Sequence, residues 1–579
     1  MNTAEYLIKK LEELGINDFF GLPGDYNFNI LYAIEDNPKT NWIGCTNELN
    51  AGYAADGYAR ERGYGALVTT YGVGELSAIN AIAGSFAENV PVIHIVGVPS
   101  TKCISEKTRI HHNFQDVKPY TYAETYKNVC ETTAFLNRDN AKLEIDRVLK
   151  IFVKEKKPVY IAIPIDIAKL EISTREIDYS WSSDSKTLEK VTNLIIQKIN
   201  KSKKPVILGD TLVKRFDSRI EFKEFVEKSG IPTTNFLMGT NLVNPDLKNN
   251  LGTYFAKLRN PVAQKHIEET DCLIAVGAIY SDLNSFGFNL PYKINSHIAI
   301  YGTHVYIENV RYDNIKMSEL LNALSEKIEQ RDFIIEKTPY FYEKTNTPTG
   351  KLTSKYIYPR LQEFLKENDI LIAETGIIPQ GVSQIKFPNN SELVSQTLWG
   401  SIGWATPTAL GTSLASLNRR VILFTGEGSH QLTAMEIGNM LRCGIKPVVI
   451  VLNNKGYTIE RVLSDNPQDK FNDIMHMNYS KFARVFEGDI WSTRVETEDD
   501  FDKALKVTQI MNKLCYIEIC TEPDDMPELT KDLVTSFQTK NKLKKDSADI
   551  PEKYCNTKTE YKISESFKNF GTKIHESLK

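Results

Sequence analysis

The sequence has no long apolar run, no excess of one charge and few cysteines, and each shortage removes a class of protein. No stretch approaches the roughly 18 to 20 apolar residues that cross a bilayer, so no membrane span is expected. Lys9, Lys10, Glu12 and Glu13 interrupt the N-terminus, where Tyr6, Leu7, Leu11 and Leu14 recur at helical spacing, so it reads as an amphipathic helix and not as a signal peptide. Basic and acidic side chains number 70 and 74, a net charge of −4, which leaves no broad electrostatic footprint for nucleic acid or an anionic membrane. The eight cysteines are scattered and make no C-x-x-C pair. In apolar runs a free thiol behaves as a small hydrophobe, and a reducing, cytoplasmic setting is expected. With 41 % apolar and 25 % charged residues, the chain as a whole is neither disordered nor a disulfide scaffold.

What the chain does have is a rhythm of short apolar runs and helical segments. The runs at 18–21, 42–46, 66–71, 92–99 and 158–164 are nearly continuous in apolar residues, as strands of a parallel sheet buried on both faces are. Segments 48–63 and 75–88 between them carry helix periodicity, and strands alternating with helices argue for α/β architecture. A second set follows at 205–208, 272–277 and 298–301, and a third at 370–374, 421–424, 448–452 and 516–519. Polar joins at 180–190 and 337–354 separate the sets. Three α/β domains fit a length of 579 residues. Residues 538–579 hold ten lysines and few large aliphatics and read as a tail that is partly disordered or laid on the surface.

The third set carries the strongest chemistry. Its strand 421–424 runs into Thr425-Gly-Glu-Gly-Ser429 and then a helix from about 431 to 442. Glycines at a strand-to-helix turn let backbone N–H groups approach a phosphate, and Ser429 is a natural N-cap or phosphate donor. The next strand ends at Asn453-Asn-Lys-Gly-Tyr457. An acid after one strand and an amide after the next meet at the carboxyl edge of a parallel sheet, where open α/β folds bind ligands. A carboxylate, an amide oxygen and a backbone carbonyl are hard ligands suited to Mg²⁺. Other residues read blandly when taken alone: Glu48 as a helix N-terminal acid, Asp25 as a turn residue, Ile402 as core, and His111-His112 as a polar loop. A metal held by that histidine pair needs a third ligand at suitable spacing, and none stands nearby in sequence. His94, His266, His297, His304, His476 and His575 show no pattern.

Gly426 and Asn454, twenty-eight positions apart across strand, helix and strand, resemble the thiamine diphosphate motif. Gly21-Leu-Pro-Gly-Asp25-Tyr-Asn27, Asn47-Glu48-Leu-Asn-Ala-Gly52, Gly72-Val-Gly-Glu-Leu-Ser77, His111-His112, Leu398-Trp-Gly-Ser-Ile-Gly403 and Gly456-Tyr-Thr-Ile-Glu460 extend the resemblance. Together they look like the pyruvate and indolepyruvate decarboxylase branch of the thiamine-dependent 2-oxo acid decarboxylases, over residues 1–535. The resemblance implies three doubly wound parallel-sheet domains. They are an aminopyrimidine-binding domain over 1–180, a Rossmann-like central domain over 190–340, and a diphosphate- and metal-binding domain over 354–537. The tail 538–579 has no counterpart.

Roles carry over residue by residue as what the resemblance implies. Glu48 meets N1′ of the aminopyrimidine, favouring the tautomer whose N4′ takes the thiazolium proton. Gly400 and Ile402 hold the cofactor bent. Gly428, Ser429 and Ile459 contact the diphosphate, and Glu427, Asn454 and the Gly456 carbonyl hold the metal. Asp25, His111, His112 and Glu460 form a mixed acid–base set able to deliver and remove protons near neutrality. The implied reaction is non-oxidative decarboxylation of a 2-oxo acid to an aldehyde and CO₂. A short acid such as pyruvate is favoured over indolepyruvate or phenylpyruvate. The activating glutamate and the diphosphate site come from different subunits, implying a homodimer or a dimer of dimers. Neither nucleic acid nor membrane is an expected partner.

Four departures stand out. Glu427 replaces an aspartate and carries its carboxylate about 1.5 Å further out, so either the backbone retreats, a larger divalent cation is preferred to Mg²⁺, or cofactor affinity falls. Ile377 stands where a threonine hydroxyl meets the diphosphate. His430 replaces a leucine, either adding a donor near the phosphates or facing solvent. Val117-Lys-Pro119 replaces a glycine–aspartate loop. Two alternatives follow: a carboligase making acyloins or acetolactate on the same cofactor, and a weakly catalytic homologue with a regulatory or structural role.

Overall fold

A computed structural model of the chain describes residues 1–115, 120–174, 178–287, 297–335 and 341–536. The chain divides into one compact unit, Met1–Leu533, and a C-terminal unit, Val534–Lys579, of which 534–536 are described. The lysine-rich tail beyond them, and Val117, Lys118 and Pro119, lie outside the described residues.

The first sheet holds β1 (Asp18–Gly21), β2 (Asn41–Gly44), β3 (Gly65–Thr70), β4 (Val92–Val98), β5 (Thr132–Phe135) and β6 (Val159–Pro164). Their order is β2-β1-β3-β4-β6-β5, every pair parallel. Every residue of β1, β3, β4 and β6 is buried, because crossover helices cover both faces of a parallel sheet. The central sheet holds β7 (Pro205–Gly209), β8 (Thr233–Asn235), β9 (Asn250–Thr253), β10 (Cys272–Val276), β11 (Ile298–Ile300), β12 (His304–Ile307) and β13 (Val310–Asp313). Its order is β13-β12-β11-β10-β7-β8-β9, parallel except at the edge, where β12 runs antiparallel to β11 and to β13. The third sheet holds β14 (Ile370–Ala373), β15 (Glu392–Ser395), β16 (Val421–Gly426), β17 (Val448–Asn453), β18 (Ile490–Val495) and β19 (Leu514–Cys520). Its order, β15-β14-β16-β17-β19-β18, repeats that of the first sheet, again all parallel.

The polar join expected over 180–190 is shorter than its composition suggests. Asp184 accepts from the Thr187 N–H and starts a helix, Ser185–Lys201, so half of the join is a helical turn facing water. No helix among the described residues is long and apolar enough to cross a membrane.

The first and third sheets are brought together by two helices, Glu48–Arg62 and Ala405–Ala415. Their backbones nearly touch. A Cβ on Gly411 would stand 1.8 Å from the Ala54 carbonyl oxygen, and one on Gly57 2.5 Å from that of Thr408. The Thr408 and Thr412 hydroxyls donate across the crossing to the carbonyls of Tyr53 and Gly57. Beside it, buried Arg60 pairs with Asp56 at 2.6 Å and Glu88 at 2.9 Å, and the Trp404 indole N–H donates to Asp56. The charges are buried as a hydrogen-bonded set, so none is left uncompensated.

Candidate active site

In the third sheet the chain leaves β14 for β15 on one side and returns to β16 on the other. Crossovers diverging in this way open a crevice at the carboxyl edge. A cleft of about 340 Å³ lies there, lined among others by Ile377, Gly400, Ile402, Glu427, Gly428, Ser429, Asn454, Gly456, Ile459 and Glu460. These are all of the candidate residues that the third sheet's loops carry.

β16 ends at Gly426, whose extended backbone caps a helix that starts at once with Glu427 and runs to Thr433. Ser429 therefore sits inside the first turn and is not the N-cap. The single helix expected over 431–442 is two, Glu427–Thr433 and Glu436–Arg442. The break turns Glu436 toward the first sheet, where it accepts from Thr46 and Asn50. Gly428 has no room for a side chain, since a Cβ would meet the Tyr457 ring at 2.5 Å. This glycine lets the helix start and the loop after β17 close on each other.

Glu427 reaches that loop. Its Oε1 accepts from the Gly456 N–H at 2.8 Å. Burial lifts its carboxyl to about 7, opposed by backbone N–H groups of Gly456, Glu427, Asn454 and Lys455. The Asn454 amide stands 2.9 Å from the Gly456 carbonyl oxygen and 3.2 Å from Glu427 Oε1. With its nitrogen inward it donates to both. With its oxygen inward, the amide stands from each of these two oxygens at about the spacing of adjacent ligands on an octahedral ion with bonds of about 2.1 Å. The donor set fits a small divalent cation despite the longer glutamate arm.

The segment from Leu398 to Gly403 is held from behind. The N–H groups of Leu398 and Trp399 donate to Glu88, the Ser401 N–H donates to Gln396, and the Tyr53 hydroxyl bonds the Ser401 hydroxyl at 2.7 Å. Gly400 has φ +66, a conformation that favours glycine. Ile402 projects from this brace and is 36 % exposed, which a simple core residue would not be. Ile377 is buried at 5 % exposure and gives the cleft an apolar wall in place of a hydroxyl.

Asp25, Glu48, His111 and His112 lie elsewhere. They belong to the loops of the first sheet, and none lines the cleft within one chain. Asp25 follows β1, and its Oδ2 is 3.1 Å from His111 Nε2. The two imidazoles meet with centroids 4.4 Å apart. Glu48 opens its helix beneath the Asn47 cap. Its half-buried carboxylate has no hydrogen-bond partner among the described residues and faces Gly74, where a Cβ would come within 3.2 Å of Oε1.

His430 neither adds a phosphate donor nor faces solvent. It is wholly buried, with Nδ1 on the Thr406 hydroxyl and Nε2 on the Tyr516 hydroxyl, each at 2.9 Å. Burial lowers it to about 3. Two acids escaped the sequence reading. Glu374, directly after β14, is wholly buried and bonds the N–H groups of Thr375 and Ala405 and the Thr425 hydroxyl. Burial raises it to about 7. Glu75 accepts from the Gly72 N–H and the Tyr160 hydroxyl, both at 2.7 Å, and burial raises it to about 7. Both were visible as acids at the edge or turn of an apolar strand, but only the packing shows that they are buried.

Comparison with known proteins bears on what this arrangement is for. Residues 1–120 match the thiamine pyrophosphate enzyme N-terminal TPP binding domain, 192–319 the central domain, and 376–519 the C-terminal TPP binding domain. The chain is 34 % identical to pyruvate decarboxylase of Candida glabrata over 91 % of its own length and 96 % of the relative's. It is 35 % identical to pyruvate decarboxylase isozyme 1 of Saccharomyces cerevisiae over 91 % and 97 %. It is also 35 % identical to pyruvate decarboxylase of Aspergillus fumigatus over 94 % and 98 %. The chain belongs to the thiamine diphosphate-dependent decarboxylase family. As a thiamine diphosphate-dependent decarboxylase, a carboxy-lyase, it carries the two cofactor-binding domains on its first and third sheets. Asp25, Glu48, His111 and His112 fall in one of these domains and the cleft in the other.

Proposed function

We propose that this enzyme converts a short 2-oxo acid, pyruvate foremost, and a proton to an aldehyde and CO₂ at a site assembled from two copies of the chain. The observation that carries this reading is the division of the site. The cleft with its cation donors and Glu460 is on one domain, while the proton-handling cluster and Glu48 are on another and stay out of that cleft. A second copy placing its first sheet against the cleft completes both sites by two-fold symmetry. Exposed apolar side chains support such a contact: Val73, Leu76, Trp399, Leu432 and Met435 are 36–56 % exposed, beside the braced segment and the cleft helix. A dimer, or a dimer of dimers, follows.

Glu427, Asn454 and the Gly456 carbonyl would hold Mg²⁺ or a similar divalent cation, and the N–H groups at Gly428 and Ser429 would meet the diphosphate, with Ile459 beside them. Bound thiamine diphosphate supplies the attacking carbon and takes up the electron pair freed with CO₂. Glu48, without a hydrogen-bond partner among the described residues, would hold a proton at an aminopyrimidine nitrogen. Gly400 and Ile402 would hold the cofactor against the cleft wall. His111, whose Nε2 stands 3.1 Å from Asp25 Oδ2, and His112 would carry a proton to the reacting carbon and withdraw one from the product hydroxyl, with Glu460 facing them from the partner's cleft. The free thiols Cys45, Cys103, Cys130, Cys272, Cys443, Cys515 and Cys520 accord with a cytoplasmic enzyme.

The test is CO₂ and aldehyde release from a panel of 2-oxo acids with thiamine diphosphate and Mg²⁺ or Mn²⁺. Turnover that needs both cofactors and is fastest with a short acid is expected. Acyloin as the main product, or no turnover by the folded oligomer, removes the proposal.

A further inference from the structure

We infer that Asp25, His111 and His112 form a second metal site, a two-imidazole, one-carboxylate set that takes Zn²⁺ or a similar borderline ion, and that filling it blocks proton transfer. The blocking rests on the proton-handling role proposed above; the site itself does not. In sequence the histidine pair lacks a third ligand. The fold supplies it from eighty-six residues upstream, because β1 and β3 are neighbours and β4 lies next to β3, which gathers their carboxyl-end loops.

Three features make the set pre-organised. One potential ligand atom from each residue lies within 4.8 Å of the others, and Asp25 Oδ2 and His111 Nε2 stand 3.1 Å apart. Ligands at about 2.1 Å on a tetrahedral zinc are about 3.4 Å apart, so the pair needs little adjustment. Adjacent residues on extended backbone point to opposite sides. His112 instead has φ +64, and both rings turn the same way. The backbone that presents them is pinned: the Tyr71 hydroxyl donates to the His111 carbonyl and the Tyr122 hydroxyl to that of His112 at 3.2 Å. Gly72 leaves room for that carbonyl, since a Cβ there would be 2.1 Å from it. The Tyr26 ring packs on Tyr71 and on His111.

Ligand type separates this set from the cleft. Imidazole suits Zn²⁺, Co²⁺, Ni²⁺ and Cu²⁺, whereas Mg²⁺ prefers oxygen alone. Two copies of the ring nitrogen lone pair that would otherwise hold a proton are then committed to the ion. Asp25 and His111 are about half exposed within one chain, so an ion entering the assembled site by the substrate's route reaches them without unfolding.

The experiment uses the holoenzyme saturated with thiamine diphosphate and Mg²⁺. Zn²⁺ is titrated calorimetrically, and Co²⁺ is added as a visible-absorption probe. One ion per chain is expected beyond Mg²⁺, with inhibition tracking occupancy and reversed by a chelator. Asp25→Ala, His111→Ala and His112→Ala should each weaken Zn²⁺ binding at least about tenfold while retaining the wild-type melting temperature. X-ray absorption of the zinc-loaded wild type, which needs no variant, should show two imidazoles. Unchanged affinity in all three variants, or an all-oxygen zinc shell, overturns the site. Binding lost in the variants but without inhibition of the wild type keeps the site and overturns the block. No Zn²⁺ binding by a fully active enzyme overturns the inference and leaves the proposed function standing.

Discussion

Glu48 and Glu374 are glutamates at the two ends of the site's polarity scale. Glu48 is half-buried and unbonded among the described residues, so its carboxylate is spare for a ligand. Glu48→Gln should therefore lower turnover about 10²- to 10⁴-fold while shifting stability by less than about 0.5 kcal/mol, as read by aldehyde release and thermal melting. Glu374 is bonded on all sides and raised to about 7 by burial. A carboxyl whose folded pKa exceeds its unfolded value stabilises fully below about 4.5, and the stabilisation is lost as pH rises through about 7. The apoprotein should lose on the order of 3 kcal/mol from this group across that window. Glu374→Gln keeps an acceptor but cannot ionise, so its stability relative to wild type should climb between pH 4.5 and pH 7 in urea titrations. A constant difference across that range rejects the buried-acid assignment.

At the scale of elements, the helix pair Glu48–Arg62 and Ala405–Ala415 does two jobs. One end presents Glu48, and the other receives the braced segment bearing Gly400 and Ile402. Their approach depends on Gly57 and Gly411. Gly411→Ala places a Cβ 1.8 Å from the Ala54 carbonyl oxygen, which no rotamer change relieves because both partners are backbone. The expected cost is about 3 kcal/mol, together with weaker thiamine diphosphate binding because the segment behind Gly400 shifts. Thermal melting and cofactor titration check the two effects, and wild-type values for both would show that the crossing is slack. Most of the strands hidden in the sequence, β9 among them, lie toward sheet margins, with β8, paired on both sides, the interior exception. β5, β15 and β18 are edge or outer strands of the parallel sheets, and β12 and β13 form the mixed edge of the central one. β5 and β18 are only partly buried and lose the continuous apolar run that marks a central strand, whereas β15 is buried throughout and breaks the run with Glu392 and Ser395.

At the scale of the molecule, the repeated strand order of the first and third sheets gives each chain two packed cofactor-binding domains, and the candidate residues of the first line no part of the cleft on the third. The consequence is testable by complementation. Chains carrying Glu48→Gln are defective on the first sheet, and chains carrying Glu427→Gln on the third. Mixed and allowed to exchange subunits, they form dimers in which one site holds both defects and the other neither. Two inactive preparations should recover up to about one quarter of wild-type turnover on random mixing of a two-fold dimer. No recovery despite exchange, followed by mass spectrometry of the mixed oligomer, places each site within one chain.

The sequence by itself determined the α/β class, the three sets of strands and the glycine, acid and amide positions at the carboxyl edge. Each is a local property: apolar runs make buried strands, and glycines permit turns that side chains forbid. It also placed Glu427 in the cation motif, but it could not say whether the longer arm still reaches. In the fold the Glu427 carboxylate accepts from the Gly456 N–H, which holds it beside the Asn454 amide. Only the tertiary structure decided that His430 is a buried strut between Thr406 and Tyr516, that Glu374 and Glu75 are desolvated, and that Asp25 joins the histidine pair. It also decided that Glu48 stays out of its own chain's cleft. These are facts about which distant segments share a neighbourhood, and parallel crossovers bring together residues whose separation along the chain carries no trace of their contact.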